Sequence, residues 1–395
     1  MNRRVFLRGA GAITASTMMR GAVAPSDQII VGVIGAGGRG QVLMDRFAQD
    51  PSVRLAAVCD VYEPNLEAGL SIAKGKAKAY RHYQELLADK SVSVVIIATP
   101  EHWHHRMLLD ALAAGKDVYV EKPLCHTPEQ GVELIGAVRS SDRIVQVGMQ
   151  RRSYALYLEA RDIRAAGTLG NVRLVRTWWI NNNLSGGHEQ KLAGPLDWEQ
   201  WQGPAPRHTM EVDRFRNWRN YKDYSGGIVA DQGAHIYDGI HLIRGVGFPS
   251  AVSASAGKVH NKQSDTPETV IVVAEYPEDF LGVFTINYAG MHYPTRLDQL
   301  NQFDGDEARM DVGREFLSVF PQSNPETPAI TANGSFSQAT DVHIQNFLEC
   351  VRTRHEPNAP VEKGFQAALV IQMANLSLES GRRVKWNTQT QKVEV

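Results

Sequence analysis

The sequence predicts an α/β chain in two unlike parts. A doubly wound parallel sheet comes first, followed by an α+β domain with a large, mostly antiparallel open sheet. Three observations predict this. Between residues 28 and 150, short apolar runs alternate with helical patterns, as in parallel strands joined by helices. A glycine-rich turn, Gly35-Ala36-Gly37-Gly38-Arg39-Gly40, joins the first apolar run to the first helix. From about Ser153 the strand-like runs lengthen and follow one another without helices between them.

The 395 residues carry 42 Lys and Arg against 43 Asp and Glu, a net charge of −1. That balance excludes a general electrostatic pull toward nucleic acid or anionic membrane. With 43% hydrophobic and 22% charged residues, the composition is that of a folded chain, long enough for two or three domains. Cys59, Cys125 and Cys350 are sparse, odd in number and without a C-x-x-C pair, which argues against a disulfide scaffold or a thiolate zinc site. No run of about 18 apolar residues occurs, so no spanning helix is expected.

Residues 1–24 read as an export signal rather than as part of the fold. Arg3-Arg4 with Phe6-Leu7 resembles a twin-arginine signal, and a modest apolar stretch, Gly9 to Met19, follows. Ala22-Val23-Ala24 resembles a cleavage site, but Pro25 restricts the backbone a peptidase must read, so an uncleaved N-terminal anchor is the other outcome. Either way the chain is expected to be exported, to the periplasm.

Residues 29–34, Ile-Ile-Val-Gly-Val-Ile, suit a buried parallel strand, and Gln41 to Gln49 is helical in pattern. The turn between them is G-x-G-x-x-G. Gly35 makes the tight turn, Gly37 lets backbone approach a pyrophosphate, and Gly40 lets the helix pack on the strand, with the helix N-terminus facing the anion. A second strand, Arg54 to Cys59, ends at Asp60, where a carboxylate can accept hydrogen bonds from a ribose 2′-hydroxyl and would repel a 2′-phosphate. NAD is therefore favoured over NADP, although Arg39 beside the turn could support a 2′-phosphate. A helix at Tyr83 to Leu87 leads to a strand, Val92 to Ala98, which ends at Thr99-Pro100. Arg106 to Ala114 is helical and stops at Gly115, leaving His102, His104 and His105 in the preceding loop. A strand over Asp117 to Val120 runs into Glu121-Lys122-Pro123, residues 128–139 form a helix, and Ile144 to Met149 ends at Gln150. Ligands of such sheets bind beyond the carboxyl ends of the strands, so Gly35, Asp60, Thr99, Glu121 and Gln150 converge on one crevice.

Residues 151–340 form the second unit. A helix, Ala155 to Ala166, precedes strand-like runs at Val172 to Ile180, Ala251 to Val259, Val270 to Tyr276 and Leu281 to Tyr288. A long insertion, Asn181 to Tyr224, holds Trp198, Trp201, Trp218, Tyr221 and Tyr224. Its aromatics suit stacking on a sugar face, and would equally clamp the loop to the sheet. Helices at Asp341 to Arg354 and Lys363 to Gly381 are expected to pack back on both units.

Two segments carry chemistry. Lys122 follows a strand end and should project into the crevice, where a lysine can stabilise a developing alkoxide, accept a proton, or pair with a phosphate. Gly226-Gly227 opens a helical pattern that places Asp231 and His235 at i and i+4, on one face. A carboxylate there orients the imidazole and raises its basicity, as a general base acting on an alcohol requires. The histidines of residues 102–105 lack a matching carboxylate set, so no metal is expected.

Taken together, Gly35-x-Gly37-x-x-Gly40, Thr99-Pro100, Glu121-Lys122-Pro123 and Asp231-x-Gly233-x-His235-x-x-Asp238 resemble the glucose–fructose oxidoreductase, inositol dehydrogenase and MocA family. The resemblance covers about residues 28–390. It implies a Rossmann domain followed by a domain with an open sheet often used for oligomerisation. It implies Lys122, Asp231 and His235 as the catalytic group and Glu121 near the nicotinamide ribose. The expected cofactor set is Gly35, Gly37, Gly38, Arg39, Gly40, Asp60, Thr99, Pro100, His104, Glu121, Lys122 and Gln150. The expected substrate set is Arg151, Trp218, Tyr221 and Tyr237. Where the family has Thr-Pro-Asn, this chain has Thr99-Pro100-Glu101. The implied activity is hydride transfer from a hydroxyl-bearing carbon of a sugar, glycoside or polyol to tightly bound NAD. A redox-neutral NAD-dependent glycosidase, working by transient oxidation, elimination, hydration and re-reduction, shares these residues. A sensing or structural dinucleotide-binding protein would lack the Lys122, Asp231 and His235 group.

Overall fold

The computed structural model describes residues 28–181, 191–259, 261, 264–294 and 298–395. The export signal expected at residues 1–24 lies outside them. Six strands form the first sheet: β1 (Ile29–Ile34), β2 (Val53–Cys59), β3 (Lys78–Tyr80), β4 (Val94–Ile97), β5 (Asp117–Val120) and β6 (Val145–Val147). Their order is β3-β2-β1-β4-β5-β6 and every pairing is parallel. The central strands are apolar because helices cover both faces, and all four residues of β4, Val-Val-Ile-Ile, are buried.

The second sheet has ten strands. They are β7 (Val172–Ile180), β8 (Ala251–Ala256), β9 (Thr269–Tyr276), β10 (Phe280–Asn287), β11 (Gln299–Gly305), β12 (Ala308–Gly313), β13 (Phe316–Pro321), β14 (Ile330–Asn333), β15 (Val384–Asn387) and β16 (Lys392–Glu394). The order is β14-β13-β12-β11-β7-β10-β9-β8-β15-β16. Only β7 and β10 pair in parallel. Burial alternates along β9 and β10, so one face takes the helices and the other is open, with Ile271 and Leu281 exposed on it.

The helix Gly227–Arg244 packs on the covered face against β7 and β10, and ends at Gly245 in the left-handed conformation. The helix Val361–Ser380 packs against it, against β8 and against the helix Pro128–Arg139, so it joins the two sheets. The helix Ser337–Thr353 returns to the first sheet, where Phe347 meets Phe47 and Tyr119 edge-on. Pro128–Arg139 starts on a capping box: Thr127 Oγ1 accepts from Gln130 N, and Gln130 Oε1 accepts from Thr127 N.

Several elements differ from the sequence expectation. The helix expected from Arg106 begins at Glu101, because Pro100 takes the cap position and the Glu101 carboxylate suits a first turn. His102, His104 and His105 are therefore helical, not in a loop. The last segment also adds the hairpin β15–β16 to its helices, and β15 extends the large sheet beside β8. The helix Glu63–Ile72 and strands β11 to β14 had no clear periodic signal. β11 and β12 are rich in Asp, Asn, Gln and Gly, and β13 and β14 are short, so these strands depend on their neighbours in the sheet.

Candidate active site

A cleft of about 570 Å³ opens at the carboxyl ends of β1, β2, β4 and β5. Its floor is the glycine turn. Gly35 has a φ of +90°, and a Cβ there would lie 2.8 Å from the Ala98 carbonyl; a Cβ on Gly40 would lie 2.0 Å from Gly35 O. Both positions therefore admit only glycine, one for the turn and one for helix–strand contact. A Cβ on Gly37 or Gly38, by contrast, would meet almost nothing, so the backbone stands open to the cleft at the N-terminus of the helix Gly38–Phe47.

Asp60 braces this turn. Its Oδ2 accepts from Ala36 N at 2.8 Å and its Oδ1 from Tyr62 N at 2.9 Å. Burial pushes its carboxyl up to about 6, against the opposing pull of these N–H groups. Across the cleft, Arg39 Nε donates to Glu121 Oε1 at 2.7 Å, which ties the turn to the end of β5. Gln150 lines the cleft with a buried Oε1 that has no hydrogen-bond partner among the described residues. An open backbone cradle at a helix N-terminus, a carboxylate at the end of β2 and an unsatisfied amide oxygen fit a dinucleotide.

The catalytic triad expected from the sequence comes together at the far end of this cleft. Lys122 Nζ donates to Asp231 Oδ1 at 2.7 Å and to Asp231 O at 2.8 Å. Arg219 Nε lies 3.3 Å from the same Oδ1, and Gln232 Nε2 donates to Oδ2 at 3.0 Å. Burial acts to raise the Asp231 carboxyl, but Lys122 and Arg219 outweigh it and hold it well below the usual carboxylate range. His235, one turn further along the helix, is driven well below the usual imidazole value by burial and by the charges of Lys122 and Arg151. The expectation that Asp231 raises the basicity of His235 is therefore not met: the Asp231 oxygens turn to Lys122, Arg219 and Gln232, and burial with the nearby cations outweighs the carboxylate. His104 holds the scaffold: its Nδ1 faces Pro123 O at 2.7 Å and its Nε2 faces Thr99 O at 2.9 Å, joining the ends of β4 and β5.

The aromatic insertion packs neither on the large sheet nor as a free platform but as a roof on the first unit. Residues 191–224 cross from the second unit onto the first. Glu63 N donates to Pro195 O and Asp197 N to Val61 O, both at 2.9 Å. Tyr62 Oη accepts from Ala193 N and from Arg216 Nη2. Trp201 O accepts from Trp103 Nε1 at 2.8 Å and faces His102 Nε2 at 3.1 Å. Tyr62, Trp201, Phe215, Tyr221 and Tyr224 form a small core of their own. Trp201, Phe215, Arg216, Trp218 and Arg219 thus line the same cleft as Asp60 and Lys122. Glu101 was not among the expected site residues. It is buried at the cleft wall and accepts from Ser225 Oγ and Gly226 N, pinning the start of the helix that carries Asp231.

Two family models cover the chain. One, described as the oxidoreductase family, NAD-binding Rossmann fold, matches residues 29–149, and the other, its C-terminal alpha/beta domain, matches residues 198–386. The chain belongs to the Gfo/Idh/MocA oxidoreductase family. Within it, the inositol 2-dehydrogenase of Salmonella typhimurium strain LT2 is 34% identical over 146 residues, 36% of this chain and 44% of that protein. A glycosyl hydrolase family 109 protein of Shewanella sp. strain MR-4 is 28% identical over 174 residues, 36% of this chain and 38% of that protein. The chain thus spans less than half the length of these curated relatives. The solved levoglucosan dehydrogenase, in complex with NADH and levoglucosan, shares the fold with a TM-score of 0.72 at 18% identity, over 91% of this chain and 99% of that one.

Of the substrate residues expected in this family member, only Trp218 lies on the cleft wall. Arg151 is 1% exposed, with its Nη1 on Tyr157 Oη and on His235 O, so it lies behind the helix that carries Asp231 and His235 rather than in the cleft. Tyr237 is fully buried against Phe284, because two residues along a helix from His235 lies on the opposite side. Tyr221 spends its hydroxyl on Asp213 inside the roof. The clustered histidines also part company: His105 turns outward to Glu133, away from His102 and His104. Among the described residues no group of three His, Cys, Asp or Glu side chains is placed to hold a metal.

Proposed function

We propose that this chain oxidises a hydroxyl-bearing carbon of a sugar, glycoside or polyol, with NAD resident in the cleft. The carrying observation is His235 beside a Lys122–Asp231 ion pair in the same cleft as the open glycine turn and Asp60. NAD, when bound, supplies the hydride acceptor. Gly37, Gly38, Asp60 and Glu121 would hold it. His235 Nε2 or Nδ1 accepts the hydroxyl proton, Lys122 Nζ donates to the oxygen as its charge grows, and Asp231 keeps that ammonium aimed. The likeness to the inositol and levoglucosan dehydrogenases supports a sugar or polyol substrate.

The likeness to a glycosyl hydrolase family 109 protein favours a second reading, a glycosidase that oxidises, eliminates, hydrates and re-reduces the same sugar. Incubation with a panel of free sugars, polyols and aryl glycosides separates the two. Accumulating NADH supports the dehydrogenase, and released aglycone with no net NADH supports the glycosidase. Absence of both across the panel would overturn the proposal.

The roof supports a related reading: NAD stays bound between turnovers. Retention would suit a chain exported already folded by a twin-arginine signal at residues 1–24. The open face of the large sheet, with Ile271 and Leu281 exposed, is the surface proposed for homo-oligomerisation, which sedimentation of Ile271→Lys would test.

A further inference from the structure

Two cations at the catalytic end share one carboxylate. Lys122, Arg219 and Arg151 are the cations facing Asp231 and His235, and Asp231 is the carboxylate that meets two of them. Arg151 makes no ion pair with any carboxylate among the described residues; its guanidinium packs on Tyr157, Trp179 and Phe336 instead. The other nearby arginines are neutralised in place: Arg152 by Asp238, Arg39 by Glu121 and Arg314 by Asp298. Glu101 is the other carboxylate nearby, but its two oxygens are engaged by Ser225 Oγ and Gly226 N, so it makes no direct ion pair with Lys122, Arg219 or Arg151 among the described residues. Asp231 is already paired with Lys122, so Arg219, half-exposed on the cleft wall, shares a carboxylate rather than having one of its own, and a cation in that position gains from a further anion.

That cation is presented for such an anion. Arg219 comes from the roof, lies on the cleft wall and keeps its side chain 46% exposed. Its plane is fixed from below by Trp218, at 4.1 Å from the ring centre. Its Nε faces Asp231, and among the described residues neither Nη group has a hydrogen-bond partner. A guanidinium resting over an indole ring, its Nη groups unpartnered among the described residues, presents the two-pronged donor edge that matches a carboxylate.

Resting on the oxidoreductase reading above, we propose that the substrate is an acid sugar, a uronic or aldonic acid, and that Arg219 is the specificity-determining residue that takes its carboxylate. The carboxylate would give Arg219 an anion of its own, and Arg219, bridging it to Asp231, would set the distance between the acid group and the carbon facing His235. A neutral sugar would leave the guanidinium edge unanswered.

The test is equilibrium binding by calorimetry to the full chain loaded with NAD, using matched pairs: D-glucuronate against D-glucose, D-galacturonate against D-galactose, and D-gluconate against D-glucitol. The expected result is at least tenfold tighter binding of the acid in one or more pairs. Arg219→Gln should weaken that acid at least tenfold more than its neutral partner, and Arg219→Lys should restore part of the difference. Neutral members binding as well as their acids in every pair, including no binding by either, would overturn the inference. So would an Arg219→Gln variant that weakens acid and neutral sugar equally. Failure of the oxidoreductase reading looks different: the acid preference persists, but no bound sugar reduces the cofactor or is changed.

Discussion

Lowering the pH should erode the preference for NAD over NADP, and Asp60 sets both the size and the midpoint of the effect. The carboxyl is 9% exposed and pushed up to about 6 by burial. It is therefore charged at pH 8 and increasingly neutral as the pH falls through 6. A carboxylate about 6 Å from a 2′-phosphate, at an effective dielectric constant of about 20, is repelled by about 3 kcal/mol per unit charge. That corresponds to roughly a hundredfold preference for NAD at pH 8. Because the raised value means the charge is lost from about pH 7 downward, most of the preference should be gone at pH 5. The phosphate itself also gains a proton near pH 6, so Asp60→Asn serves as the control: its NAD-to-NADP ratio should be close to one at pH 8 and change far less with pH. The assay is calorimetric titration of nucleotide-free protein with each dinucleotide at pH 5, 6, 7 and 8. A wild-type ratio that is flat with pH, or an Asp60→Asn variant that keeps the full preference, refutes the reasoning. Tighter binding of NADP than NAD by the wild type would transfer the 2′-phosphate contact to Arg39.

Other substitutions probe the rest of the site. Lys122→Ala and His235→Ala should each cut turnover by at least roughly a hundredfold, the scale of general acid–base groups, while NAD affinity measured by titration changes only a few-fold; near-full turnover in either would make that residue structural. Tyr62→Ala removes a 2%-exposed ring and the hydroxyl that meets Ala193 N and Arg216, so the roof should loosen and stopped-flow release of NADH should speed up at least tenfold. An unchanged release rate would mean the roof does not retain the cofactor. Residues 1–24 fused to a folded fluorescent reporter should carry it out of the cytoplasm, and replacing Arg3-Arg4 with Lys-Lys should stop this; retention of the native fusion inside the cell would rule out the export reading.

What the sequence determined by itself is whatever depends on short spacing. The G-x-G-x-x-G turn, Asp60 at the next strand end, Glu121-Lys122 after β5, and Asp231 four residues before His235 are local patterns. Backbone sterics, the pitch of a helix and the βα alternation are enough to place them. The strand Val172–Ile180 was legible for the same reason, its alternating pattern. What only the tertiary structure decided is which side chains face the cleft. Arg151 and Tyr237 are close in sequence to site residues, yet the path of the chain and the turn of the helix send them into the core. Arg219, Glu101 and Tyr62 enter the site from three separate segments, and no periodicity links them to it. The roof is the clearest case. Its aromatics read equally well as a sugar platform or as a clamp, because apolar rings bury themselves against whatever surface is nearest. That surface, the turn after β2, is more than a hundred residues away in the chain and was brought there by the packing of the two sheets.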